Sequence, residues 1–295
     1  MCHGGQILTT TETWKAVSGM SERCLGRPQI LDCGEHLLYE TKTSTPGQVN
    51  ITRHTRRIMQ LVPSDLAFDF FEARGRREVQ EDGKMTLEMK DSSTVKGRLF
   101  PPLLSKRQLT TCFLNAPYEK GRVSICFIYT VGLDEQHRAQ NQIMLAKSIR
   151  KQLLGLSPPG YECQEDKGCW MLAFPRMGNA VLFCLQLKAK VQGLEGLVGN
   201  VDRGNMFKFG ILSGPFRGMG PHKITGMADY SGPIVNHASR VASNCCKPGQ
   251  VCVGIQLPSG VKPDPPDFGS TVEVRLQGVK QLKGVSVDMA IYECS

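Results

Sequence analysis

The sequence predicts an α+β protein built on a ferredoxin-like antiparallel-sheet sandwich, and three observations carry that prediction. Between residues 121 and 254 the apolar pattern runs strand, helix, two strands, helix, strand, which is the ferredoxin-like order, and the pattern is extended on its C-terminal side. Glycine and proline clusters punctuate these segments where turns are needed. The chain has 295 residues, of which 40% are hydrophobic and 21% charged, enough to bury a core and unlike any fibrous or low-complexity composition.

Each element has its own signal. Residues 123–129, Val-Ser-Ile-Cys-Phe-Ile-Tyr, form an unbroken apolar run of strand length. Over 142–154, Ile143, Leu145, Ile149 and Leu153 or Leu154 recur at helical spacing, and Pro158-Pro159-Gly160 ends the segment. Residues 161–165, a turn at Asp166-Lys167-Gly168, and residues 169–174 read as a hairpin. A second amphipathic helix covers 177–190, with Val181, Cys184, Leu185 and Leu187 apolar. Residues 207–213 are a strand entering Gly214-Pro215, 234–243 a third helix, and 251–254 the next strand. The helices are expected to pack on one face of the sheet.

An internal repeat organises the rest. An ungapped shift of 244 positions sets Gly5-Gln6-Ile7 on Gly249-Gln250-Val251, Ile30 on Val274, Gly34 on Gly278 and Leu38 on Leu282. After a longer loop expected over 39–54, residues 57–61 are matched to 287–291. Repetition of one supersecondary unit implies duplicated domains. Three regions follow: 1–62 as the C-terminal remnant of an upstream copy, 63–119 as a linker, and 120–295 as the main domain. The first copy lacks a body, so a fragment of a longer tandem-domain protein is expected. In the linker, a short amphipathic helix is expected around 68–71 and poor order over 74–96.

Several classes are set aside. The net charge of +9 is scattered, and its densest cluster, Arg74-Gly75-Arg76-Arg77, sits beside Glu78, Glu81 and Asp82. A nucleic-acid footprint would concentrate on one face, so no such partner is expected. No apolar run reaches the roughly 18 residues of a membrane span, and Met1-Cys2-His3-Gly4-Gly5 lacks the features of a secretory signal. The 12 cysteines include no C-x-x-C pair and no zinc-finger spacing, so reduced thiols in a cytoplasmic protein are expected. Phosphate-loop, nucleophile-elbow and H-E-x-x-H motifs are absent.

The segment 226–240, Gly-Met-Ala-Asp-Tyr-Ser-Gly-Pro-Ile-Val-Asn-His-Ala-Ser-Arg, followed by Pro248-Gly249-Gln250-Val251, resembles the most characteristic stretch of class III nucleotidyl (adenylate/guanylate) cyclase domains. Phe209-Gly210-Ile211-Leu212-Ser213-Gly214, the 160–174 hairpin and Leu282-Lys283-Gly284-Val285 are similar to other parts of that family, so the resemblance covers 121–295, and 4–62 resembles the tail of a second copy. It implies the α+β cyclase homology fold and cyclisation of a purine nucleoside triphosphate in intracellular signalling. There the ribose 3′-hydroxyl attacks the α-phosphate and expels pyrophosphate. Asn236 matches the residue that orients the ribose, and Arg240 the residue that stabilises the transition state. Asp229 matches a purine-reading position, Gln164 falls where the family uses Lys or Glu for base selection, and Lys283 lies near the triphosphate lysine. Two bland roles stay open: Asn236 as a helix cap and Arg240 as a surface ion-pair partner.

The resemblance fails at the metals. The family holds Mg2+ or Mn2+ on two Asp residues, because hard cations need oxygen ligands. Tyr129 and Gly168 occupy the two expected Asp positions, and a slip to Asp134 or Asp166 breaks the pattern. Family sites form between two domains, one giving carboxylates and the other the Asn, Arg and purine-reading residues. This chain is therefore expected to be the metal-deficient complementary half of a dimeric site, with a second cyclase domain as its partner. Other readings are a non-catalytic pseudocyclase that binds nucleotide or a partner for regulation, and an interaction fold with an empty cleft.

Overall fold

A computed structural model describes residues 6–25, 28–45, 48–62, 106–133, 135–199, 202–258, 260–285 and 287–295. The helix expected around 68–71 and the segment 74–96 lie outside these. The chain divides into two compact units, Met1–Gln108 and Leu109–Ser295.

The second unit contains β4 (Arg122–Thr130), α2 (Arg138–Leu154), β5 (Tyr161–Asp166), β6 (Cys169–Phe174), α3 (Met177–Gln192) and β7 (Phe207–Pro215). A small hairpin follows, β8 (Gly218–Pro221) and β9 (Ala228–Ser231), then α4 (Pro233–Arg240), β10 (Val251–Leu257), β11 (Val274–Gln281) and β12 (Asp288–Cys294). Seven strands form one sheet in the order β11-β12-β10-β7-β4-β6-β5. Its β7-β4-β6-β5 half is the ferredoxin-like arrangement. All neighbours pair antiparallel except β10 on β7, which is parallel, as a crossover through α4 demands. The α+β class and antiparallel-dominated sheet agree with the sequence reading. The β5–β6 turn is tight because Lys167 (φ 48°) and Gly168 (φ 84°) both take left-handed backbone, as a two-residue hairpin turn requires.

One expectation is corrected: the helices do not share a face. Cys126, Ile128, Leu172, Phe174, Phe209 and Ile211 pack with Leu145 and Ile149 of α2 and Phe183 and Leu187 of α3. Residues of opposite parity meet α4 and the π-turn after it. A Cβ at Gly214 would stand 3.1 Å from Ile234 Cδ1, and one at Gly254 2.9 Å from Val241 Cγ2. Gly210 and Gly214 of β7 and Gly254 of β10 let this helix lie close to the sheet.

Residues 109–119, assigned to the linker by pattern, dock onto the second unit. The Glu162 N–H donates to Thr110 O (2.7 Å), Tyr161 Oη to Thr111 O (2.9 Å) and Tyr230 Oη to Pro117 O (2.6 Å). Glu162 is 1% exposed, and Arg150 of α2 holds both its oxygens, Nε to Oε2 at 3.1 Å and Nη2 to Oε1 at 3.0 Å. Losing one partner of such a pair strands a buried charge. Arg150→Ala is expected to cost about 3 kcal/mol, read as a lower urea midpoint at unchanged slope.

The first unit holds β1 (Ile7–Thr10), α1 (Thr11–Leu25), β2 (Gln29–Thr45) and β3 (Gln48–Val62), with sheet order β1-β3-β2. The loop expected over 39–54 is instead the far end of the β2–β3 ribbon. This order has the same form as β10-β12-β11. Ile7 pairs with Leu61 and Ile30 with Leu61; Val251 pairs with Cys294 and Val274 with Cys294. A bulge interrupts β2 between Asp32 and Gly34, and another interrupts β11 between Leu276 and Gly278, the positions related by the 244-residue shift. The third strands match three residues later than the sequence pattern suggested: Leu61 corresponds to Cys294 and Ile58 to Ile291.

Candidate functional site

Helix α4 is the centre of the candidate site. Gly232, its N-cap, has φ 124°, and a Cβ there would stand 2.9 Å from the Arg217 backbone nitrogen, so the turn from β9 into the helix needs glycine. Pro233 follows at the first helical position, where its missing N–H is no loss. Ile234, Ala238, Val241 and Ala242 form the buried stripe against the sheet, leaving Asn236 exposed and Arg240 half-buried. They are one turn apart and share a side of the helix.

Among the described residues, neither bland role applies to this pair. The N-cap is Gly232 with no side-chain cap, so Asn236 does not cap the helix. Among the described residues, no carboxylate lies within ion-pair distance of Arg240. Its guanidinium instead lies over the β11–β12 turn, with Nη2 3.6 Å from where a Gly284 Cβ would stand. Lys283, exposed, is the preceding residue of that turn.

The other end of α4 gathers the remaining predicted residues. Asp229 is exposed on β9, three residues before the N-cap. β9 is tied to β5 by the Ala228 N–H, which donates to Tyr161 Oη at 2.8 Å. Burial pushes the Cys163 thiol well up, and the nearby carboxylates of Glu162 and Asp229 push it further. Gln164, the next residue on β5, is exposed and stands opposite Met171 after a register shift. The predicted residues thus divide into two groups, Asp229 with the Gln164 strand and Arg240 with the Lys283 turn. The eight-residue helix between them is about 12 Å long. His237, beside Asn236, contacts Gln256 (Nδ1 to Nε2, 3.0 Å); burial, then the Arg240 charge, lowers its pKa.

The two positions expected to carry metal carboxylates do not fit a divalent cation. Tyr129, one residue before the end of β4, lies on the α4 side of the sheet, and its hydroxyl shares a 2.8 Å hydrogen bond with Ser239 Oγ. Burial raises the phenol's pKa, so at neutral pH it presents no anionic oxygen. At Gly168 a Cβ would collide with Thr130 Oγ1 and stand 3.0 Å from Gln142 Nε2, in a left-handed backbone besides. Thr130 is itself engaged, its Oγ1 donating to Gly168 O at 3.0 Å. Among the described residues, no group of three His, Cys, Asp or Glu side chains could hold a metal ion. Gly168→Asp is therefore expected to destabilise the fold by about 2 kcal/mol through backbone strain and the lost Thr130 bond, measured by urea denaturation. It is also expected to give no heat of Mn2+ binding by calorimetry.

Sequence reasoning assigned no role to Ser239, Thr130 or Gly284. Ser239 is inside the quoted motif, but its partner Tyr129 is 110 residues away. No local signal could join them.

No protein-family model matches the chain, and no curated protein matches it. Solved structures do. An adenylate cyclase from Trypanosoma brucei in its monomeric state aligns at 18% identity over 61% of this chain and 92% of its own, with a TM-score of 0.49. The guanylate cyclase domain of RhGC from Catenaria anguillulae, in complex with GTP, aligns at 14% identity over 59% and 96%, TM-score 0.46. The adenylyl cyclase CyaB from P. aeruginosa aligns at 17% identity over 59% and 93%, TM-score 0.45. These structural neighbours are adenylate and guanylate cyclase domains. The fold class rests on the strand order and register given above. Among the described residues no helix is long and apolar enough to cross a membrane.

Proposed function

We propose that residues 109–295 are a class III cyclase homology domain acting as the metal-deficient complementary half of a dimeric site for a purine nucleoside triphosphate. The observation that carries this reading is the contrast along α4. Asn236 does not cap the helix and Arg240 has no ion-pair partner among the described residues, whereas the carboxylate positions are held by Tyr129, bonded to Ser239, and by Gly168, closed by Thr130. In the proposed site Asp229 and Gln164 meet the purine edge, Asn236 orients the ribose, and Arg240, with Lys283 near it, takes the phosphate charge. Bond formation from the ribose 3′-oxygen to the α-phosphorus, with loss of pyrophosphate, would draw its cations from acidic groups of the partner domain. Residues 1–62 are read as the C-terminal part of another copy of the domain, consistent with the shared strand order and bulge position. The setting proposed is cytoplasmic signalling.

The Tyr129–Ser239 bond favours a second reading, a pseudocyclase that binds nucleotide for regulation, because it locks the strand end onto the helix. Titration of the full chain with ATP and GTP, with and without Mg2+, tests both. Binding that needs no Mg2+ is expected under either, with turnover appearing only beside a domain that carries the two Asp residues. Absence of nucleotide binding under all conditions overturns both.

A further inference from the structure

We infer that the outer edge of β1 is an acceptor for a parallel strand, supplied by a polypeptide that carries an equivalent of β7. This deepens, and rests on, the reading of the first unit as part of another domain copy. In the second unit β10 is flanked on both sides: by β12 antiparallel and by β7 parallel. The parallel pairing uses four residues, Val251, Cys252, Val253 and Gly254, opposite Phe209, Gly210, Ile211 and Leu212. The 244-residue shift carries those four onto Ile7, Leu8, Thr9 and Thr10, which are the whole of β1.

β1 reproduces one flank of β10 and not the other. Its pairing with β3 follows the β10–β12 pattern, and among the described residues it has no second strand. Exposure differs as well, on the sheet face: Val251 is buried in the core beside α2 and α3, whereas Ile7 at the corresponding position is 51% exposed. An edge with unpaired backbone donors and acceptors and an exposed β-branched apolar side chain recruits a strand. The occupant should run parallel to β1, because the counterpart edge takes its neighbour that way. It cannot be β7 of a second folded copy, since that strand is already paired on both sides, to β10 and to β4.

The test keeps the full chain and adds an N-terminal extension with the sequence of residues 207–215, joined through about 20 Gly/Ser residues. Such a linker has a reach of roughly 25 Å, enough for the return path that a parallel pairing needs. The control extension has proline at alternate positions and cannot donate to a neighbouring strand. Hydrogen–deuterium exchange is read at the amides of residues 7–10. The expected result is at least tenfold slower exchange with the strand extension and no change with the control. Equal exchange in both, with the amides of 30–38 and 54–61 still protected, overturns the acceptor edge and leaves the repeat reading standing. Unprotected amides in 30–38 and 54–61 overturn both, because the three-stranded unit would then not be formed.

Discussion

Arg240→Ala is expected to lower the turnover of a complemented site at least a hundredfold. The assay pairs the full chain with a cyclase domain that carries both metal carboxylates and follows cyclic nucleotide formation from ATP and from GTP. The size of the effect follows from the proposed role. A guanidinium aimed at charge that develops on the phosphate oxygens contributes mainly in the transition state, and losing one such donor costs about two to three orders of magnitude. The loss should fall on kcat more than on KM. Arg240 meets Gly284 across the β11–β12 turn and no carboxylate among the described residues, so its removal leaves no buried charge behind. Stability should change by no more than about 0.5 kcal/mol, which separates a catalytic loss from a folding loss. Turnover that persists within threefold of the unsubstituted pair would mean Arg240 does not reach the phosphate.

Gly210→Val is expected to be the most damaging single change to the fold. A Cβ at position 210 would overlap the backbone nitrogen and Cα of Ala242, in the π-turn that continues α4. The obstacle is backbone, not a flexible side-chain end, so strain can be relieved only by moving the helix off β7. Overpacking of this kind costs about 3 kcal/mol or more, read as the drop in unfolding free energy from urea denaturation. Gly220→Ala provides the comparison, since nothing lies within 4 Å of a Cβ there. That change should stay within about 0.5 kcal/mol. If Gly210→Val unfolds at the wild-type midpoint, the close approach of α4 to the sheet is wrong, and with it the placement of Asn236 and Arg240.

Much of the architecture was legible in the chain. The hairpin at 161–174 announced itself through Asp166-Lys167-Gly168, and the turn needed two left-handed residues there. The helical spacing of Leu145, Ile149 and Leu153 marked α2, although the helix starts at Arg138, before that pattern sets in. The repeat was legible where glycine was diagnostic: Gly34 and Gly278 both follow bulges. It slipped by three residues in the third strand because Ile58-Met59, Leu61-Val62 and Met289-Ala290-Ile291-Tyr292 are runs of adjacent apolar residues, which fix no parity. The candidate-site residues Asp229, Asn236 and Arg240 lie within one short stretch, so a motif could find them.

Local chemistry alone therefore gave the element types and order between residues 121 and 254, the glycine-dependent turn at 166–168 and the helix bearing an amide and a guanidinium one turn apart, but neither α1 nor the β8–β9 hairpin. Those features depend on neighbours within a few residues, and the chain states them directly. Folding in three dimensions settled which sheet face α4 covers, that Tyr129 meets Ser239, that Thr130 closes the space over Gly168, and that Arg240 lies on the turn at Gly284. Each is a contact between segments tens of residues apart. Such contacts are set by how close glycines let one backbone come to another, and a linear pattern of apolar and polar residues does not encode that distance.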